Sequence, residues 1–190
     1  NIREHSYFIH NEENTYDLDF QHSFTLGGRQ LCTWGLAYRY YRIHMKPDET
    51  NKYSFDPEKT GTNVASAFVQ DEIDLIRDEL FLTLGSKFEY HEATHLEVQP
   101  TGRLLWKANK KNTLWAAASR AVRTPSRGEL DAIIDTVVPP QRSGTGIPLI
   151  FQIVGNDDVD SGEVLAFELG CRTMVSDAFS LDMTGFYNRY

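Results

Sequence analysis

The sequence predicts an all-β fold, an antiparallel up-and-down meander of about eight strands forming part of a transmembrane β-barrel. Three observations carry this. Apolar and polar residues alternate with period two in long runs, about 10 to 13 residues each. Strands of globular proteins average about 5 to 6 residues, whereas a tilted strand crossing a bilayer needs about 9 to 11. The connections alternate short and long, as periplasmic turns and extracellular loops do in outer-membrane barrels.

The elements follow in order. Residues 1–9 read as the tail of a strand. Residues 15–25 set Tyr16, Leu18, Phe20 and Phe24 against Asp17, Asp19, Gln21 and Ser23. After Gly27-Gly28-Arg29, residues 30–41 set Cys32, Trp34, Leu36, Tyr38 and Tyr40 against Thr33, Gly35, Ala37 and Arg39. A long link, 43–61, leads to an extended segment at 62–74. A turn at Arg77-Asp78-Glu79 precedes 80–90, with Leu80, Leu82, Leu84, Phe88 and Tyr90 on one face. A longer link, 91–96, leads to 97–108, and Asn109-Lys110-Lys111-Asn112 turns into 113–124. The longest link, 125–161, holds a helical window at 127–138, with Leu130, Ile133 and Ile134 on one side and Pro139-Pro140 ending it. Residues 163–173 and 179–190 close the series around a turn at Ser176-Asp177-Ala178. Tyr38, Tyr40, Tyr90, Phe186 and Tyr187 fall near strand ends, where an interfacial aromatic girdle lies.

Composition agrees and excludes little. Of 190 residues, 41% are hydrophobic and 12% aromatic, and no apolar run is long enough for a transmembrane helix. A mean hydropathy of -0.44 fits a barrel wall, because inward polar residues dilute the outward apolar ones. The net charge of -8 and the lack of a clustered Lys/Arg stripe argue against a nucleic-acid partner. Cys32 and Cys171 lie far apart and read as two half-buried thiols. The chain begins at Asn1 and stops at Asn188-Arg189-Tyr190 within an alternating pattern, which suggests a piece of a longer protein. Eight open strands present two unpaired edges and an apolar side, so the isolated segment is expected to self-associate.

Several stretches resemble the barrel domain of TonB-dependent outer-membrane receptors. One is TLWAAASRAVRTPSR at 113–127, similar to a family strand that ends in an Arg-(Ala/Thr)-Pro turn. Others are FVQDEI at 68–73 with LTLGSKFE at 82–89, VQPTGRL at 98–104, and Gly155-Asn156 with Ser161-Gly162-Glu163 leading to FELG at 167–170 and FYN at 186–188. They occur in family order across most of the chain. The resemblance implies an outer-membrane receptor of a Gram-negative bacterium that binds and imports a bulky ligand such as a ferric siderophore, energised by the TonB system through a plug domain. It implies a barrel of about 22 strands, of which residues 1–190 supply a part without the plug or the C-terminal strands. Outer-membrane lipid is the expected surroundings, and no cofactor, metal or catalysis is expected. Family members that take up haem often carry a His in the long loop after the Arg-Ala-Pro turn; residues 125–190 contain none.

Candidate lumen-facing residues are Arg39, Lys87, Glu89, Arg103, Lys107, Glu168, Arg172 and Asp182, with Arg120 and Arg123 as similar cases. Each could meet a plug or ligand, or serve as an inter-strand ion pair. Two readings compete. One is a soluble β-rich module, such as a carbohydrate-binding sandwich. The other is a zinc protease through His91-Glu92-Ala93-Thr94-His95, which matches H-E-x-x-H. That motif needs a helix to bring both His to one metal, and in one extended strand they lie about 13 Å apart. Gly27-Gly28 and Gly144-Thr145-Gly146 lack the following helix of a phosphate loop.

Overall fold

A computed structural model describes residues 10–47, 52–144 and 146–190. It contains strands β1 (His10–Leu26), β2 (Gln30–Lys46), β3 (Tyr53–Phe55), β4 (Lys59–Ile76), β5 (Leu80–His91), β6 (His95–Lys107) and β7 (Asn112–Arg123). They are followed by α1 (Arg127–Leu130), β8 (Ala132–Val138), α2 (Pro140–Ser143), β9 (Leu149–Val154), β10 (Gly162–Ser176) and β11 (Phe179–Arg189). Eight of the strands form one sheet in the order β1-β2-β4-β5-β6-β7-β10-β11, so sheet neighbours follow chain order except where β3, β8 and β9 intervene. Those three form a second sheet, β3-β8-β9. By contacts the chain divides into two units. One comprises Asp17–Tyr38, Val64–Arg123 and Ser161–Tyr190; the other comprises the described residues of Asn1–Tyr16, Arg39–Asn63 and Thr124–Asp160.

The first unit owes its order to strict alternation. Register carries one apolar row across six strands: Ile73 faces Leu82, Leu82 faces Leu104, Leu104 faces Ala116, Ala116 faces Leu169 and Leu169 faces Gly185. One residue along, the row on the other face reads Glu72, Thr83, Arg103, Ala117, Glu168 and Phe186. Many of the large apolar side chains are exposed: Leu18 at 70%, Leu169 at 66% and Met183 at 53%. Among the described residues, Ile43 alone is a buried hydrophobic. A water-soluble sheet would cover such a face with a second layer; a membrane strand leaves it to lipid.

The tight turns repeat one device. In the β1–β2, β4–β5 and β6–β7 hairpins, the residue just before the second strand gives its carbonyl to the next strand along. Arg29 O accepts from Asp74 N at 2.8 Å, Glu79 O from Lys107 N at 2.7 Å, and Lys111 O from Met174 N at 2.8 Å. Each ladder thus gains one rung at its end. Turn chemistry fits: Gly27 and Gly28 take φ of +58° and +71°, and Asp78 takes +60°. Asn109 Oδ1 accepts from the backbone N–H of both Lys111 and Asn112.

In the second unit, α1 is a single turn. Ser126 N–H donates to Glu129 Oε2 at 2.8 Å and starts it. Arg127 then pairs with Asp131 at 2.9 Å, lies over the Phe55 ring at 5.4 Å and donates to the Pro57 carbonyl. β3 pairs with β8 through Tyr53–Ile134, Ser54–Ile133 and Phe55–Ala132, and β8 pairs with β9 through Ile134–Ile153 and Val137–Ile150.

Three expectations need correction. The helical window at 127–138 ends after Leu130, and Ala132–Val138 is a strand. Its β-branched run of Ile133, Ile134, Thr136, Val137 and Val138 fits a strand with β3 and β9 beside it. The link at 91–96 is a tight turn of Glu92, Ala93 and Thr94, because β5 runs to His91 and β6 starts at His95. The link at 43–61 is shorter, since β2 reaches Lys46 and β4 starts at Lys59. Alternation there continues in polar residues, Arg42, His44 and Lys46, and so resembled a loop. The strand tail expected at 1–9 lies outside the described residues.

Candidate functional site

The polar row of the first unit collects most of the candidate residues. Near the tight-turn end, Lys107, Thr113, Arg172 and Asp182 are successive Cα partners across four strands. Arg172 Nε donates to Asp182 Oδ2 at 2.8 Å. The Lys107 ammonium sits 4.6 Å from the Phe81 ring centroid, a cation–π contact. One step along, Glu168 Oε1 accepts from Trp115 Nε1 at 2.6 Å. Gly170 makes room for that indole: a Cβ there would meet Trp115 Cζ2 at 2.2 Å. Lys87 pairs with Glu89 on its own strand. Arg123 stands opposite Gly162.

Arg103 differs from these. It faces Thr83 on one side and Ala117 on the other, and it is exposed. Among the described residues it has no carboxylate partner. Its charge is therefore available to something else.

Arg120 is separated from the group by register. It is the Cα partner of Leu165 and alternates with Ser119 and Ala121, so it belongs to the row of Ala118 and Ala116. Its guanidinium serves the sheet. The β6–β7 ladder runs from Lys107–Thr113 to Thr101–Ser119 and stops there, one residue from Pro100, which has no N–H to give. Beyond that point Arg120 Nη1 donates to Val98 O at 2.5 Å, Nη2 approaches Glu97 Oε2 at 3.4 Å, and Nε donates to Glu163 Oε2 at 2.9 Å. Ser161 Oγ donates to the other Glu97 oxygen. One side chain on β7 thus holds β6 where the β6–β7 backbone ladder has ended, and also reaches β10.

Arg39 falls in the second unit, alternating with Tyr38 and Tyr40 on β2.

The H-E-x-x-H motif lies on a hairpin. His91 and His95 are Cα partners on β5 and β6 rather than neighbours on a helix or residues of one straight strand. That corrects the 13 Å separation expected for a single strand. The side chains nevertheless serve different neighbours. His91 is buried, and its Nδ1 accepts from Ala93 N–H at 3.1 Å across the turn. His95 takes φ of +59° and sets its ring 6.4 Å from Tyr90. Cys32 and Cys171 are free thiols, with Cys32 Sγ 3.3 Å from Asp71 Oδ1.

Sequence reasoning missed two features of the second unit. One is the β3-β8-β9 sheet, in which the β3 and β8 partners lie about 80 residues apart and leave no local pattern. The other is a polar cleft lined by Glu12, Asn14, Arg42, His44 and Lys59. Its signal was present in β2, where alternation runs on beyond Tyr40.

Comparison with known proteins gives the sheet a lineage. Residues 2–190 match the family model described as TonB dependent receptor-like, beta-barrel. Among solved structures, the siderophore receptor PirA from Pseudomonas aeruginosa superposes with a TM-score of 0.75 at 21% identity, covering 95% of this chain and 33% of that one. A variant of the ferric enterobactin receptor PfeA from the same organism gives 0.78 at 18% identity, covering 94% and 27%. The FrpB iron transporter from Neisseria meningitidis gives 0.55 at 12% identity, covering 95% and 36%. No curated protein matches the sequence. The chain spans about a third or less of the first two receptors. It belongs to the TonB-dependent receptor-like β-barrel family.

Proposed function

We propose that this chain is barrel wall of an outer-membrane receptor that binds a bulky ferric chelate of the siderophore type and imports it with energy from TonB, through a plug domain inside the barrel. The observation that carries this is the two-faced meander: an apolar row running across six strands, with a polar row on the other side. The family and the siderophore receptors among the structural neighbours support the ligand class. In this reading the chain performs no catalysis and sits in the outer membrane of a Gram-negative bacterium. Residues 1–190 are a segment of the barrel domain, and Arg39, Arg103, Lys107, Arg123, Glu168, Arg172 and Asp182 face the lumen. A soluble carbohydrate-binding sandwich is disfavoured, because its sheet would bury the apolar row against a second layer.

The test is uptake of radiolabelled ferric siderophores by cells carrying the full-length protein, with and without TonB. Uptake that needs both, from a protein sedimenting with outer membranes, supports the reading; a freely soluble protein ends it. Arg103→Gln should cut uptake while Arg172→Gln should not, since Asp182 already holds the charge of Arg172.

A further inference from the structure

The second unit holds a cationic cleft that the transport reading does not use. On β1, Glu12 and Asn14 alternate onto the row of Tyr16; on β2, Arg42, His44 and Lys46 alternate onto the row of Tyr40. The two tyrosine rings stack, with centroids 6.4 Å apart and planes 22° from parallel. Tyr40 also lies over Gly61, where a Cβ would meet its hydroxyl at 2.7 Å. Lys59, two residues before Gly61 on β4, therefore shares this row. Glu12, Asn14, Arg42, His44 and Lys59 line a cleft of about 250 Å³.

The charges do not cancel. Among the described residues, Glu12 is the one carboxylate lining the cleft, and it is engaged by Lys46 at 3.2 Å and His44 at 3.7 Å. Arg42 and Lys59 are exposed and have no carboxylate partner among the described residues. Among the described residues, Arg42, Lys59 and the His44 imidazole thus share the cleft lining with a single acid, which Lys46 already engages. The row that carries them also carries Tyr16 and Tyr40, and tyrosines on a lipid-facing row mark headgroup depth. Past that depth a bilayer offers phosphate.

We propose that this cleft holds the phosphate of an anionic lipid headgroup, in the leaflet at the long-loop end of the sheet. Arg42 supplies a planar fork for the phosphate oxygens and Lys59 a second cation. Asn14 offers an amide donor. This rests on the membrane reading above and adds a specific lipid contact to it.

The experiment uses purified full-length receptor in dodecyl-maltoside micelles doped with either bisphosphoryl lipid A or phosphatidylcholine, with retained lipid counted by native mass spectrometry. At about fivefold per basic residue, Arg42→Gln with Lys59→Gln should reduce lipid A retention roughly 25-fold. Phosphatidylcholine should be retained equally by both proteins. Lys110→Gln with Lys111→Gln, removing two charges from a tight turn instead, should leave lipid A retention unchanged. Equal lipid A retention by wild type and the cleft variant overturns the proposal. So does displacement of lipid A by millimolar inorganic phosphate, which marks a simple anion site. A protein that retains neither lipid and sediments apart from outer membranes fails the membrane reading, and the cleft proposal with it. Where sedimentation is intact and phosphatidylcholine is retained, the lipid A contrast alone decides.

Discussion

Arg120 Nη1 donates to Val98 O at 2.5 Å, standing in for the backbone pairing that β6 and β7 give up after Thr101–Ser119, while its Nε donates to Glu163 Oε2 on β10 at 2.9 Å. The same guanidinium reaches the Val98 carbonyl and Glu97, so its removal strands polar groups on two strands at once. Arg120→Ala should lower unfolding stability by about 1.5–3 kcal/mol, the range for hydrogen bonds to charged groups, and should open β6 and β7 at that end. Urea unfolding in detergent, with hydrogen exchange at residues 96–100, checks it. Unchanged ligand affinity in the folded fraction would mark the role as structural. Unchanged stability would overturn it.

The apolar row predicts an asymmetry between neighbours on β10 and β11. Leu169 faces Ala116 and Gly185 on that row, while Thr184 faces Gly170 on the other. Leu169→Lys should cost about 2–4 kcal/mol if it lies near the bilayer midplane, and Thr184→Lys should cost far less. Folding into lipid vesicles, followed by heat-dependent gel mobility, measures both. Equal costs would mean that lipid does not contact this face.

Gly155 sits where no side chain fits. A Cβ would lie 2.3 Å from Leu130 O and 2.4 Å from Leu130 C, backbone atoms that cannot rotate away. Its own N–H donates to Ala132 O at 2.7 Å, and Asn156 N–H donates to Glu129 O at 2.9 Å. Gly155→Ala should destabilise by about 1–3 kcal/mol, as overpacking does, with the loss centred on α1 and β8. Limited proteolysis should then cut within 125–161 earlier than in wild type, and an unaltered cleavage time would refute this.

His91 provides a sharper check on the protease-like motif. Its Nδ1 closes the turn by accepting from Ala93 N–H. His91→Ala should therefore loosen the β5–β6 turn by about 0.5–1.5 kcal/mol and leave zinc content where it was. Zinc at one equivalent per chain, lost on His91→Ala and again on His95→Ala, would reverse the assignment.

How much of this was legible depends on the range of the signal. Period-two alternation is local, so the eight long strands and their two faces could be read directly from rows such as Leu165, Phe167, Leu169 and Cys171. The turns were legible where chemistry marks them, as at Gly27-Gly28 and Asn109. The β3–β8 pairing was not, because it joins Tyr53–Phe55 to Ala132–Ile134 across the intervening strands and neither segment is distinctive alone. The candidate residues were chosen as charges near alternating strands. Alternation itself separates Arg120 from Arg123, three positions apart, and the register makes that separation plain. The structure adds which charges are spent: Arg172 on Asp182, Lys87 on Glu89, and Arg103 on nothing described.

The β3–β8 pairing also bears on how such receptors can diverge. Two connections that look independent along the chain share one small sheet, and Arg127 of one lies on Phe55 of the other. Residues 52–58 and 125–161 should therefore behave as a single unit when segments are exchanged. Transplanting either alone from a relative should leave an orphaned strand, whereas moving both together should carry the small sheet intact from one barrel to another.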